Sequence, residues 1–122
     1  MSNIKIVFKI ENRSNDYFYE GKGTKNKDII SFKDLESEYY VDLKVRRITK
    51  IANKELAVID FKKSCIELDI NGFKTKLDMK VIEYKEKKDS LFVKYIIEEE
   101  ITILLEHTNK IKMGKSLMKK RY

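Results

Sequence analysis

Apolar and polar residues alternate along most of this chain with a period of two. Ile4, Ile6, Phe8 and Ile10 fall on one side of an extended backbone, with Lys5, Lys9 and Glu11 opposite. Successive side chains of a strand point to opposite faces of a sheet, so this spacing predicts a half-buried β-strand. The polar cluster 12–16 closes it. Tyr17-Phe18-Tyr19-Glu20 then opens a second strand, whose continuation carries Gly21 and Gly23. Two glycines on one side suit a strand that bends or passes close to another backbone. Residues 29–32 give a short third strand after the turn-like Asn26-Lys27-Asp28. Tyr39, Val41, Leu43 and Val45 alternate with Tyr40, Asp42, Lys44 and Arg46 as a fourth, and residues 56–61 form a fifth.

The strongest local signal follows. Ile66, Leu68 and Ile70 alternate with Cys65, Glu67 and Asp69; after Asn71-Gly72, Thr75, Leu77, Met79 and Val81 alternate with Lys74, Lys76, Asp78 and Lys80. Asn-Gly between two alternating runs predicts a hairpin with a type I′ turn, which needs positive φ at both central residues. Residues 85–89 read as a charged turn. Leu91, Val93, Tyr95 and Ile97 give the next strand, and Ile101, Ile103 and Leu105 the last. Glu98-Glu99-Glu100 favours a helix over 96–107, whereas the density of isoleucine favours a strand, the reading taken here.

Eight or nine such strands define an all-β chain. A twisted antiparallel sheet of that size closes into a barrel or folds into two packed layers, so a barrel is expected, with a compact β-sandwich as the alternative. No internal repeat of fixed period is read. The organisation expected is one barrel domain over residues 1–108 and a basic tail over 109–122, helical or disordered.

Composition changes this picture in three places. Only two alanines occur, Ala52 and Ala57, which weakens any helical alternative. The net charge of +7 divides unevenly, with +1 over residues 1–108 and +6 over 109–122. Lys110, Lys112, Lys115, Lys119, Lys120 and Arg121 make up that tail charge without one acid, a composition that fits a disordered solubility tail, a sequence-blind contact with nucleic-acid phosphates, or a contact with a membrane surface. There is no run of apolar residues long enough to span a membrane, no leader-like stretch in residues 1–10, and one cysteine, Cys65, which has no intrachain partner. The expectation is a cytoplasmic protein, monomeric or homodimeric.

The chain resembles the YwiB-like family of small bacterial proteins, calycin-type barrels similar in shape to lipocalins and fatty-acid-binding proteins. The resemblance runs from about residue 6 to residue 97. It rests on Tyr19-Glu20-Gly21-Lys22-Gly23 after the opening strand, Ile30-Ser31-Phe32 near Asp34, Asn71-Gly72 in the long hairpin, and Leu91-Phe92-Val93-Lys94-Tyr95. The family's Arg-x-Gly step is absent, since Ile59-Asp60-Phe61-Lys62 stands in its place. The resemblance implies a calycin-type barrel of eight to nine strands. It implies no reaction, because the family has no established activity.

No catalytic constellation is legible. Gly114-Lys115-Ser116 lacks the earlier glycine of a phosphate-binding loop, where Asn109 stands, and Gly21-Lys22-Gly23 lacks the third glycine of a dinucleotide motif, where Asn26 stands. His107, the only histidine, reads as a surface residue on the polar phase of the last strand. Cys65 shares its face with Glu67 and Asp69, which oppose thiolate formation. Two residues so far apart make no transition-metal site. Neither a metal nor a cofactor is expected.

The candidate ligand contacts lie on the inward phase. If the fourth strand continues unbroken, Arg47 follows Val45 on the apolar side, and Glu83 likewise follows Val81. A buried arginine needs a partner and would anchor a carboxylate or phosphate. A bulge near Arg46-Arg47, at which Ile48 hints, would reverse that phase. Tyr17, Tyr19, Tyr40, Tyr84 and Tyr95 each carry an apolar ring and a polar tip suited to lining a cavity or to filling core and rim, and Tyr17, Tyr19 and Tyr95 are taken as the candidate contacts. The leading expectation is a non-enzymatic barrel that binds a small apolar or amphipathic, anionic ligand. The alternative is a nucleic-acid-associated accessory protein acting through the basic tail.

Overall fold

A computed structural model of the chain describes residues 2–109. All eleven of its strands belong to one antiparallel sheet, and the described residues contain no helix. In chain order they are β1 (Ser2–Glu11), β2 (Asp16–Asn26), β3 (Ile29–Lys33), β4 (Ser37–Asp42), β5 (Arg47–Ala52), β6 (Glu55–Asp60), β7 (Cys65–Ile70), β8 (Phe73–Asp78), β9 (Lys80–Lys87), β10 (Ser90–Ile97) and β11 (Glu99–Asn109). Each strand pairs with its neighbour in sequence except at one place: β8 and β9 are not bonded, and β11 instead returns to β1, with Ile4 opposite Asn109 and Glu11 opposite Thr102. The sheet thereby curls nearly into a closed barrel. The tail cations Lys110, Lys112, Lys115, Lys119, Lys120 and Arg121 lie outside the described residues.

The strand count exceeds the expected eight to nine for two local reasons. The fourth strand does not run through Arg46. It ends at Asp42, residues 43–46 turn, and β5 begins at Arg47, with Arg46 at φ 58°. The second arm of the Asn-Gly hairpin is likewise divided at Met79, where the ladder partner changes from β7 to β10. Residues 73–87 therefore bridge the two ends of the sheet. The charged turn shrinks to Lys88-Asp89, because β9 extends to Lys87. The hairpin itself has the expected geometry, with φ 54° at Asn71 and 86° at Gly72.

An internal repeat is present after all. Between residues 29 and 82 the structure recurs every eighteen residues. Val41-Asp42-Leu43-Lys44, Ile59-Asp60-Phe61-Lys62 and Leu77-Asp78-Met79-Lys80 occupy equivalent places, as do the buried Ile30, Ile48 and Ile66. The three backbone bonds that tie each unit to the one before, Leu43 N to Asp28 O, Phe61 N to Arg46 O and Met79 N to Ser64 O, step by the same interval. Asp42 and Asp60 each accept the amides two and three residues on, clamping the turn. In the third unit no turn follows and the chain runs straight into β9. Variation at the hairpin tips conceals the period in the sequence: Leu35 stands where the later units carry Asn53 and Asn71.

One apolar rung crosses the repeat: Ile30, Val41, Ile48, Ile59, Ile66 and Leu77 pair successively from β3 to β8, buried at the β3 end and exposed at Leu77. Around it pack Ile6, Phe8, Leu91, Val93, Ile103 and Leu105, all essentially without solvent contact. Burial of such side chains is the main favourable term in folding, at about 1.5–3 kcal/mol each. Gly23 permits the close approach expected of it. A Cβ there would meet Ile6 Cγ1 at 2.6 Å and the Ser31 carbonyl at 2.7 Å.

The open side is pinned from within. Phe61, in the turn after β6, packs against Tyr84 of β9 and Tyr95 of β10, with ring centroids 5.7 and 5.6 Å apart. The Arg46 guanidinium sits 4.7 Å from the centre of the Tyr84 ring. Burial pushes both phenols up to about 12; at Tyr84 Glu86 adds to the rise and the Arg46 charge opposes it.

Candidate functional site

The inward faces of β1 to β4 bring five aromatic rings together. Phe8 lies 5.0 Å from Phe32 and 5.2 Å from Tyr39; Tyr19 stacks on Phe32 at 4.9 Å, Phe32 on Tyr39 at 5.1 Å, and Tyr17 on Tyr39 at 5.7 Å. Alternation alone produces this cluster, since Tyr17 and Tyr19 share a face and Tyr19 stands directly opposite Phe8. Phe8, Phe32 and Tyr39 are buried, whereas Tyr17 and Tyr19 are only half-buried at the edge of the core.

A carboxylate organises the polar ends of these rings. Asp34, in the β3–β4 turn, accepts the Tyr17 hydroxyl on one oxygen and the amides of Glu36 and Ser37 on the other. Burial by itself raises the Asp34 carboxyl, but the Tyr17 hydroxyl, the two amides and the Lys50 charge outweigh it and hold it below the usual range. Tyr17 moves up, through burial first and the bond to Asp34 second. Burial also raises Tyr19 and Tyr39. These phenols are therefore neutral hydrogen-bond donors at physiological pH, unsuited to act as bases. Tyr19 spends its hydroxyl on the Lys22 carbonyl at 2.8 Å.

Two of the four sequence-predicted contacts, Tyr17 and Tyr19, thus meet in one place. Tyr95 is a buried core residue of β10 that packs against Phe61 and not against Tyr17 or Tyr19. Arg47 does not follow Val45 inward. The turn at residues 43–46 reverses the phase, so that Ile48 is buried and Arg47 lies on the opposite face, bonded to Asp60 at 3.3 Å with 42% of its side chain exposed. Glu83 is turned outward by a register shift opposite Lys94/Tyr95, which leaves Ile82 as the extra residue, and it pairs with Lys85 at 2.7 Å. Tyr39 and Asp34 complete the cluster and were not singled out from sequence. The alternation over residues 39–45 could have identified Tyr39, and the turn-forming Asp34-Leu35-Glu36-Ser37 could have identified Asp34.

Cys65 is buried on β7 and His107 on β11. Among the described residues no three His, Cys, Asp or Glu side chains converge to hold a metal ion. No helix of the described residues is long and apolar enough to cross a membrane. Surface hollows lie beside the hairpins of β5–β8, one lined by Leu56, Val58, Glu67, Asp69, Lys74 and Lys76, away from the aromatic cluster.

His107 corrects an expectation. It continues the inward phase of Ile103 and Leu105, opposite Ile6, and is only 3% exposed, with Nε2 lacking a hydrogen-bond partner. Burial lowers its pKa from the ordinary 6.5, Lys25 lowers it further, and Asp89 opposes. An unfolded chain binds a proton on this histidine that the folded chain resists, so stability is expected to decline as pH falls below about 6.5. Thermal melts between pH 7.5 and 5.5 check this: His107→Leu should flatten the decline, and an equally steep decline in the variant would exclude His107 as its source.

Comparison of the chain with known protein families, curated proteins and solved structures finds no match.

Proposed function

We propose that this chain is a non-enzymatic binding protein whose curled sheet takes a small apolar or amphipathic, anionic ligand. The observation that carries the proposal is the half-buried edge of the aromatic cluster. There Tyr17 and Tyr19 offer apolar ring faces next to a fully packed core, and their phenols stay uncharged. Small-molecule sites combine this kind of apolar lining with a few placed polar groups. Arg47 is committed to Asp60 and Tyr95 is enclosed, so the binding surface reduces to Tyr17, Tyr19 and their neighbours.

The proposal extends to the calycin-type barrel, in keeping with the meandering antiparallel sheet, and to the YwiB-like kinship that the sequence resemblance suggests. It includes a cytoplasmic location, in keeping with a single buried thiol, and a monomer or homodimer. A second reading, nucleic-acid association through the tail, rests on the concentration of six cations after residue 109. Native mass spectrometry of the protein purified from its own host tests both. A co-purifying amphipath of a few hundred daltons is the expected result. Nucleic acid that disappears when residues 110–122 are deleted would favour the second reading, and a bare polypeptide would count against both.

A further inference from the structure

The eighteen-residue repeat has one conspicuous exception on its inward face. The position held by buried Phe32 in the first unit and half-buried Leu68 in the third is Lys50 in the second. Lys50 lies two residues beyond buried Ile48 on β5 and pairs directly with buried Tyr39 on β4, so its stem starts from the core-facing side of the sheet, at a place where the side chain is exposed to solvent. The full rung reads Phe32, Tyr39, Lys50, Ala57, Leu68 and Thr75 from β3 to β8. The adjacent rung, Ile30 to Leu77, is apolar throughout. A cation at a position that its own repeat fills with Phe and Leu breaks a local rule without an evident gain in packing, and such departures concentrate at functional sites.

Two further features converge on the same spot. The only alanines of the chain are Ala57, the cross-strand partner of Lys50, and Ala52, two residues along on the same face. Both are smaller than the Tyr39 and Leu68 of the Lys50 rung. Moreover, among the described residues no carboxylate pairs with the Lys50 ammonium. Asp34 lies near enough to feel its charge, but its oxygens already serve Tyr17 and the two turn amides.

We propose that Lys50 is the anion anchor of this protein's ligand site, holding the acidic head group of an amphipath whose apolar part lies over Ala52 and Ala57 against Tyr39 and Leu68. This rests on the ligand-binding reading above and gives it a head-group class, a carboxylate or phosphate monoester. A lysine meets such a group as a point charge, in contrast to the two-pronged grip of an arginine.

Titration with decanoate, decyl phosphate and decanol by calorimetry tests the inference. The full-length protein is expected to bind at least one of the two anions about tenfold more tightly than the alcohol, a difference of about 1.4 kcal/mol. Lys50→Leu, which installs the residue of the third unit, should bring that ratio to about one with decanol affinity unchanged, and Lys50→Arg should keep most of the preference. Ala57→Leu should weaken all three ligands together. An anion preference that survives in Lys50→Leu overturns the anchor while leaving the binding function standing. Binding of none of the three by the unaltered protein overturns both.

Discussion

Phe8→Ala is expected to lower the free energy of unfolding by about 3–5 kcal/mol, the largest loss of any single truncation proposed for this chain. Phe8 is 1% exposed and its ring touches Tyr17, Phe32 and Tyr39 at once. Removing it leaves a void among rings held in place by β2, β3 and β4, and a sheet bonded on both sides has little freedom to collapse into that void. A contribution of this size is a large share of the 5–15 kcal/mol by which small domains are stable. The control is Phe18→Ala. Phe18 is 55% exposed, one residue out of phase in β2, and its loss should cost less than about 1 kcal/mol. Urea unfolding of both variants decides the matter. Equal losses would mean that the two faces of β2 have been assigned the wrong way round.

Asp60→Ala should cost about 2–3 kcal/mol, more than Asp42→Ala and much more than Asp78→Ala. The three aspartates are equivalent in sequence, yet their surroundings differ. Asp60 is 6% exposed, accepts the amides of Lys62 and Lys63 on one oxygen, and receives the Arg47 guanidinium on the other. Its alanine variant strands two turn amides and a partly buried cation, and each abandoned partner carries a desolvation penalty of about 1–3 kcal/mol when enclosed, less where water reaches it. Asp42 clamps its turn in the same way but at longer distances and without an arginine. Asp78 has no turn to clamp. Burial raises the Asp60 carboxyl, and the Lys63 amide, Arg47 and the Lys62 amide together bring it below its usual value. Its contribution is therefore intact at neutral pH and is lost as pH falls through the carboxylate range. A series in which Asp78→Ala is the most harmful would refute the assignment of roles within the repeat.

Much of the architecture could be read from the residues. Strict alternation located β1, β2, β3, β7, β8, β10 and β11, because a strand with one wet face must alternate. Asn71-Gly72 specified its own turn, because few other pairs tolerate positive φ twice in succession. Two of the missed features involve a change of phase, which alternation by itself does not fix. Arg46 at φ 58° ends one strand and starts the next facing the other way, which turned Arg47 away from the core and put Ile48 into it, with the exposed Lys50 two residues further along the same face. The extra residue at Ile82 did the same to Glu83. His107 was misplaced although it continues the pattern of Ile103 and Leu105, since its polar type was weighed above its position. Tyr17 and Tyr19 were correctly grouped because they lie two apart in one uninterrupted strand. Asp34 and Lys50 join them only through turns and pairings that the linear pattern does not reveal.

The pairing of the first and last strands has a consequence for how the chain reaches this shape. Every other ladder joins neighbours in sequence and can zip up after closing a loop of a few residues, whereas β1 meets β11 only when about a hundred intervening residues have been drawn together. The two halves of the sheet are clasped in its middle, and that clasp sets the pace of assembly, while the outer edges at β8 and β9 stay unbonded. Ile6, Phe8, Ile103 and Leu105, which face one another across it, lock the halves together after the local hairpins have formed.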